Sequence, residues 1–490
     1  MTEWGFAGLP VVVAGAGVSG AAAARALRER GARVTVVDAS EERAEPLRAD
    51  GFQVLATDTP PAGSSLVVTS PGWRPDAPLL VASATAGLEV VGEVELAWRL
   101  RPPSAAPWLA VTGTNGKTTT VRMLASMLSA AGRRTVAAGN VGLPLLDAVL
   151  APQPYDVLAV ELSSFQLHWS TGVCPHTAVV LNVAPDHLDW HGSLQAYAAA
   201  KGRVLAPGTV AVYNREDDES VRLARAAAAR GSALAGFTLR SPSVGELGVV
   251  EDLLVDRAFP DVAGEATELA RLTDLPVPGA HNVANALAAA ALARSYGVPA
   301  EAVAAGLRSW APDPHRNAVV PSGDGVTWVD DSKATNPHAA AASLAAYRSI
   351  VWVAGGLLKG ADVDDLVARA ASRLRGVVLL GTDRAPFREA LRRHAPDVPV
   401  VEVARLDTGA MLDVVSAARD LARPGDTVLL APAAASMDAF RDYRQRGRLF
   451  ADAVAGAVGS PSEGAPDGPS EGAGQGAGQG ALPSTAAGDR

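Results

Sequence analysis

The stretch Val111-Thr-Gly-Thr-Asn-Gly-Lys-Thr-Thr119 decides the fold. The apolar run 108–111 before it reads as a strand and residues 118–130 after it as a helix. A glycine turn between a strand and a helix N-terminus aims backbone amides at an anion. Gly113, Thr114, Asn115 and Gly116 form that turn, and Lys117, Thr118 and Thr119 open the helix. A lysine there can reach phosphate oxygens, and the following hydroxyl can hold Mg²⁺. Val111 stands where the common phosphate loop has its first glycine, so this loop is a variant. The alternative, a glycine turn without a ligand, does not call for a strand on one side and a helix on the other.

Acids and amines lie outward from this loop. Glu161 ends the strand expected at 157–160, a good place for a Mg²⁺ ligand, although a strand-end acid can also be merely solvated. Asn182-Val-Ala-Pro-Asp-His-Leu-Asp189 follows the strand expected at 177–181; His187 could meet substrate or a second cation, or just close a turn. The chain has 43 basic residues, and only four are lysines: Lys117, Lys201, Lys333 and Lys359. Each sits in or just after a Gly- or Asp-rich motif. Arginine is the general surface cation here, so lysine remains where a compact ammonium or a modifiable amine differs from a guanidinium.

At 490 residues the chain exceeds one core, and about three domains are expected. A net charge of −9 argues against nucleic-acid binding, and no apolar run is long enough to span a bilayer. The lone Cys174 cannot form an internal disulfide and is expected to be a small buried residue. Glu3 and the lack of a basic leader show no secretion signal, so a cytoplasmic protein is expected. Residues 1–103 alternate strands (10–14, 33–37) with a helix (21–29), which predicts a parallel sheet. Residues 104–312 hold the phosphate loop, a strand at 210–213 and a long Ala-rich helix at 283–295. Residues 313–458 alternate again, with strands at 326–330, 350–354, 376–380, 398–403 and 427–430. From 459 the composition collapses to Gly, Ser, Pro, Ala and Glu, which predicts a disordered tail.

Gly15-Ala-Gly17-Val-Ser-Gly20 also follows a strand, and Asp38 ends the next one. Alone this is the dinucleotide fingerprint, and it raises an NAD-dependent dehydrogenase as a rival function. The physics asks only for a nucleotide diphosphate. A dehydrogenase leaves the phosphate loop, Glu161 and the four lysines without a purpose.

Together these motifs resemble the Mur ligases, ATP-dependent amino-acid ligases of cell-wall precursor synthesis, over about residues 5–455. The nearest branch is marked by Glu161-Leu-Ser-Ser-Phe-Gln-Leu167, Asp331-Ser-Lys-Ala-Thr-Asn336 and Ser436-Met-Asp-Ala-Phe440. The resemblance implies an α/β protein of three domains: a Rossmann-like domain for a UDP sugar, a P-loop-type central ATPase domain, and a Rossmann-like C-terminal domain carrying the amino acid. The implied substrates are UDP-N-acetylmuramoyl-L-alanine, D-glutamate and ATP, handled by a cytoplasmic monomer. A sister ligase using another amino acid is the near alternative.

By the same resemblance Val18, Ser19, Asp38 and Gly72 hold the UDP moiety. Asn140, Ser163 and Gln166 surround the sugar and its alanyl arm. Thr118 and Glu161 hold one Mg²⁺; His187 and a carbamylated Lys201 hold a second. Lys117 and Arg316 meet ATP phosphates, Asn285 the adenine and Asp331 the ribose. Lys333, Thr335, Lys359, Ser436 and Tyr443 bind D-glutamate, with Tyr443 standing where Phe is expected. Lys117, His187, Lys201 and Arg316 form the implied catalytic set, with His187 also a candidate for taking the amine proton. The amino-acid domain is expected to swing on residues 310–315, so scattering should show compaction on ligand binding.

Overall fold

The computed structural model describes residues 5–277, 279–312, 314–322 and 325–458. The tail expected from residue 459 lies outside the described residues. The chain builds three sheets in sequence order, each flanked by helices, so it is α/β with three domains.

The first sheet has five parallel strands in the spatial order Gln53–Leu55, Arg33–Val37, Pro10–Ala14, Leu66–Thr69, Glu89–Gly92. Its first strand feeds the glycine turn and the helix Val18–Glu29. Gly20 is required there, because a Cβ on it would lie 1.8 Å from the carbonyl oxygen of Gly15.

The second sheet has nine strands. Seven run parallel, and Trp108–Thr112 sits between Thr177–Val180 and Val157–Glu161. The winding reverses at that central strand, which opens a crevice at its carboxyl end. Leu253–Asp256 and Thr267–Arg271 extend the far edge as antiparallel strands. One face of the sheet is covered by Lys117–Ala130, Ala280–Ser295 and Ala300–Ser309. The Ala-rich helix begins three residues earlier than the sequence implied. Its alanines between 286 and 293 lie fully buried, which lets it come close to the sheet.

The other face of this sheet shares one apolar cluster with the first domain. Val94, Leu96, Ala97 and Leu100 meet Trp108, Leu145, Leu146 and Leu158 in it. The proline-rich segment 101–107 that joins them therefore does not separate two loose bodies.

The third sheet has six strands in the order Ala318–Val320, Thr327–Asp330, Thr427–Leu430, Ile350–Gly355, Leu374–Leu380, Val400–Glu402, with only the first antiparallel. Its two apolar faces draw on buried residues between 320 and 454 alone. Cys174 corrects an expectation: it is half-buried, in the irregular segment before the strand Thr177–Val180, with Sγ 3.3 Å from the Pro207 carbonyl. No described helix is long and apolar enough to cross a membrane.

Candidate active site

The crevice at the central strand opens into a cavity of about 460 Å³. The phosphate loop forms its floor. Gly113 and Gly116 take φ of +154° and +85°, conformations that side chains rarely allow. The loop is pinned from behind: Thr114 N–H donates to Asn182 O (2.9 Å) and Asn115 N–H to Asn182 Oδ1 (2.8 Å). Thr114 Oγ1 lies 3.1 Å from the Tyr197 hydroxyl. Lys117 folds back, its ammonium donating to the carbonyls of Gly113 (2.9 Å) and Thr114 (2.8 Å). Burial lowers its pKa, against the pull of Glu161 and Asp186.

Glu161 stands at the end of the neighbouring strand, 1% exposed. Its Oε1 accepts from Asn140 Nδ2 (2.7 Å), while Oε2 is buried with no hydrogen-bond partner among the described residues. A buried, unpartnered carboxylate oxygen beside the Thr118 end of the loop fits a hard cation. Among the described residues no three His, Cys, Asp or Glu side chains form a metal cage. A Mg²⁺ held here would thus complete its shell with waters and phosphate oxygens, its usual habit.

Lys201, 1% exposed, approaches from the helix Leu194–Gly202. Its Nζ donates to Gly113 O (2.7 Å) and lies 4.4 Å from the Tyr197 ring centre. Burial first, and then the Lys117 charge, push its pKa well below the ordinary lysine value. His187 caps the short helix Leu188–His191 with φ +53°, its N–H on Asp186 Oδ1 (2.9 Å). Burial lowers its pKa although Asp186 opposes the shift. The ring packs edge-on against Phe165.

The opposite wall comes from the third domain. Asp331, Lys333 and Thr335 line the cavity, with Arg316 and, from the central domain, Asn285. Arg316 Nε is buried without a hydrogen-bond partner among the described residues, which suits it to an anion. Asp331 accepts from Ser343 Oγ and from Asn317 N–H (3.3 Å), and burial raises its pKa to about 7. Lys333 Nζ donates to the Tyr443 hydroxyl (2.9 Å). Asn285 presses on the loop: a Cβ on Gly116 would sit 2.4 Å from its Oδ1.

The cavity gathers Thr114 to Thr119, Asn140, Glu161, Ser163, His187, Lys201, Asn285, Arg316, Asp331, Lys333 and Thr335. Gly113 lies just behind the floor. Gln166, implied beside the sugar, is not on this lining. It is buried and locked into a capping box with Ser163, its Oε1 accepting from Ser163 N–H (2.9 Å). Lys359, Ser436 and Tyr443 are likewise not on the lining. Tyr443 reaches it through Lys333, and the Lys359 charge is felt at His187. Val18, Ser19, Asp38 and Gly72 line a separate cavity of about 350 Å³. Asp38 is already engaged there by Ala16 N–H (2.8 Å) and by Arg43 (2.8 and 3.1 Å), which hold its pKa down against the effect of burial.

Sequence reasoning gave no role to Tyr197, which carries no motif signal. It quoted Asn182 and Asn336 only as motif members. Arg446 was also missed: it is 0% exposed and donates to Ser332 Oγ (3.0 Å), Ser332 O (2.9 Å) and Ala434 O (3.2 Å). It ties the segment bearing Lys333 to the loop before Ser436.

Comparison with known proteins agrees with this geometry. The Mur ligase middle domain model matches residues 111–293, and the "Mur ligase, glutamate ligase domain" model matches 315–434. A TrkA-N domain model matches 11–60. The UDP-N-acetylmuramoylalanine--D-glutamate ligase of Thermobifida fusca is 62% identical, covering 92% of this chain and 99% of its own. The protein of that name from Streptomyces avermitilis is 61% identical, covering 93% and 99%. The crystal structure of UDP-N-acetylmuramate-alanine ligase from Thermotoga maritima covers 92% of this chain and all of its own, with a TM-score of 0.56. At 20% identity that likeness concerns the fold alone.

Proposed function

We propose the following reaction for this chain, which belongs to the Mur ligase family: it joins D-glutamate to UDP-N-acetylmuramoyl-L-alanine, converting ATP to ADP and phosphate. The observation that carries this reading is the single cavity in which the phosphate loop and Glu161 face Lys333 and Thr335 from another domain.

A free carboxylate is a poor acylating group. In this reading an oxygen of the alanyl carboxylate attacks the γ-phosphorus of ATP, the bond to the β,γ-bridging oxygen breaks, and ADP leaves. The amine of D-glutamate then attacks the acyl carbon; phosphate departs with the bonding electrons, and the amine loses a proton. No protein nucleophile is needed. The protein positions the partners and neutralises charge. Lys117 leaves the loop carbonyls for phosphate oxygens, and the unpartnered Arg316 Nε meets the same anion. Asn285 and Asp331 are assigned to the nucleoside, and Asn140 and Ser163 to the alanyl arm. Lys333 and Lys359 serve the glutamate carboxylates, with Thr335, Ser436 and Tyr443 beside them.

Thr118 and Glu161 are the proposed Mg²⁺ ligands. When bound, that ion neutralises phosphate charge. A second Mg²⁺ falls to His187 and Lys201. Neutral imidazole is the ligating form of histidine, and burial favours it. An uncharged amine is also what adds CO₂: an N–C bond forms, a proton leaves, and Lys201 becomes an anionic carbamate. Val18, Ser19, Asp38 and Gly72 are assigned to the UDP group. The domain limits we assign are 1–103, 104–312 and 313–458.

The test is phosphate release from ATP with UDP-N-acetylmuramoyl-L-alanine, offering D-glutamate, L-glutamate, L-alanine and a diamino acid separately. Release with D-glutamate alone is expected. Release only with another amino acid would overturn the assignment of the third domain.

A further inference from the structure

At the mouth of the large cavity the third domain meets the phosphate loop through two side-chain amides. Asn336 Nδ2 donates to Asn115 Oδ1 (3.1 Å), and Asn115 Nδ2 donates to Asn336 Oδ1 (3.3 Å). This is a reciprocal pair between residues 221 positions apart in sequence. Neither amide is loose. The Asn115 backbone is clamped on both sides by Asn182, its N–H on Oδ1 (2.8 Å) and its carbonyl accepting from Nδ2 (3.1 Å). Asn336 Oδ1 also caps the helix Pro337–Ala345 by accepting from Ala339 N–H (2.9 Å). The contact is extended by His338 Nδ1, 3.0 Å from Asn115 Nδ2, and by Asp186 Oδ2, 3.4 Å from Asn336 Nδ2. Asn336 directly follows Thr335 and lies three positions beyond Lys333.

A side-chain amide pair is directional and satisfies its own donors and acceptors only in one register. Among the described residues neither apolar cluster of the third sheet extends into the central domain, so polar contacts of this kind set how the two bodies meet. We propose that Asn336 is a positioning residue: by pairing with Asn115 it registers the amino-acid-carrying domain on the phosphate loop. Lys333 and Thr335 then arrive together with the phosphate site. Asn336 touches no reacting atom in this account. The proposal rests on the ligase reading above.

Asn336→Asp separates docking from folding. A carboxylate caps a helix as well as an amide does, so the helix Pro337–Ala345 is kept. The variant loses both donated hydrogen bonds and places negative charge beside Asp186. Phosphate release with D-glutamate is expected to fall in kcat by about 10- to 100-fold, the scale of one or two lost hydrogen bonds plus a like-charge contact. KM for ATP and for the UDP substrate should stay near wild type, as should the melting temperature. Small-angle scattering with ADP and both substrates should compact the wild type and leave the variant extended. Adding Asp186→Asn should recover part of the loss, judged against Asp186→Asn alone, because an amide at 186 can donate to the carboxylate at 336. Wild-type kcat and compaction in Asn336→Asp would overturn the proposal. So would lost activity with normal compaction, since the residue would then act by another route. Absence of D-glutamate-dependent release in the wild type would instead overturn the ligase reading and this inference with it.

Discussion

Burial leaves the Lys201 amine one carbonyl and one aromatic face, with Lys117 close enough to repel a proton. A charged ammonium is costly in such a place, which shifts the side chain towards the uncharged form that adds CO₂ in the proposed reading. Lys201→Arg keeps a basic side chain but cannot form the carbamate and stays charged at working pH. Its kcat is expected to fall by more than about 100-fold, the scale on which single charge-stabilising groups act. With ¹³C-labelled bicarbonate the wild type should show a carbamate carbon resonance that the variant lacks. Full activity in the variant would remove Lys201 from the metal site. Lys201 was legible in sequence because lysine is rare in this chain. Arg446 was not: it is one arginine among many, and only its 0% exposure and its three bonds to Ser332 and Ala434 distinguish it. Gln166 was only partly legible. Its motif was recognised, but a Ser three residues ahead of a Gln is also a capping box, and the local backbone claimed it.

Elements with strong periodicity were readable and those set by turns were not. The central strand, the loop and the helix Lys117–Ala130 fall where an apolar run, glycines and a helical pattern put them. The hairpin of Glu246–Val250 and Leu253–Asp256 was missed because Glu251 and Asp252 form its turn, with Glu251 at φ +54°; Asn-Gly would have announced it. The helix Glu93–Leu100 was hidden too, since its burial is a domain contact. Glu93, 3% exposed, accepts from the Leu146 N–H (3.0 Å) at the start of the helix Leu145–Val149. Burial raises its pKa from 4.5 to about 7. The folded chain therefore binds this proton more tightly than the unfolded chain does. The contribution is full below about pH 4.5 and is lost as pH rises through about 7, on the order of 3 kcal/mol at one pKa unit per 1.4 kcal/mol. Glu93→Gln keeps an acceptor and removes the titration. Denaturant unfolding of the two proteins should show the variant gaining on the wild type between pH 4.5 and 7. A constant difference across that range would show that Glu93 stays ionised in the folded state.

At the scale of the whole molecule, apolar area decides which bodies unfold together. The first domain and the central sheet share one cluster, with Leu96 and Leu100 on one side and Leu145 and Leu158 on the other. Gly92 approaches so closely that a Cβ there would lie 2.9 Å from the Trp169 Cβ. Neither body can shed that interface without exposing a core. The third domain has its own two clusters and meets the phosphate loop through Asn115, Asn336 and His338. Amide contacts of this sort contribute about 1 kcal/mol each, far less than a shared core. Calorimetry is thus expected to resolve two transitions, one for the first two domains together and one for the third. UDP-N-acetylmuramoyl-L-alanine without ATP would bind the first body at the cavity lined by Val18, Ser19 and Gly72. At about 100 times its dissociation constant it should stabilise that body by about 2.7 kcal/mol, raising one transition by several degrees. The other transition should not move. ATP, D-glutamate and the UDP substrate supplied together bridge the bodies and should draw the two transitions towards one. A single transition that shifts as a whole with the UDP substrate alone would mean that the polar contacts already weld the third domain to the rest, and the swing on residues 310–315 would lose its physical basis.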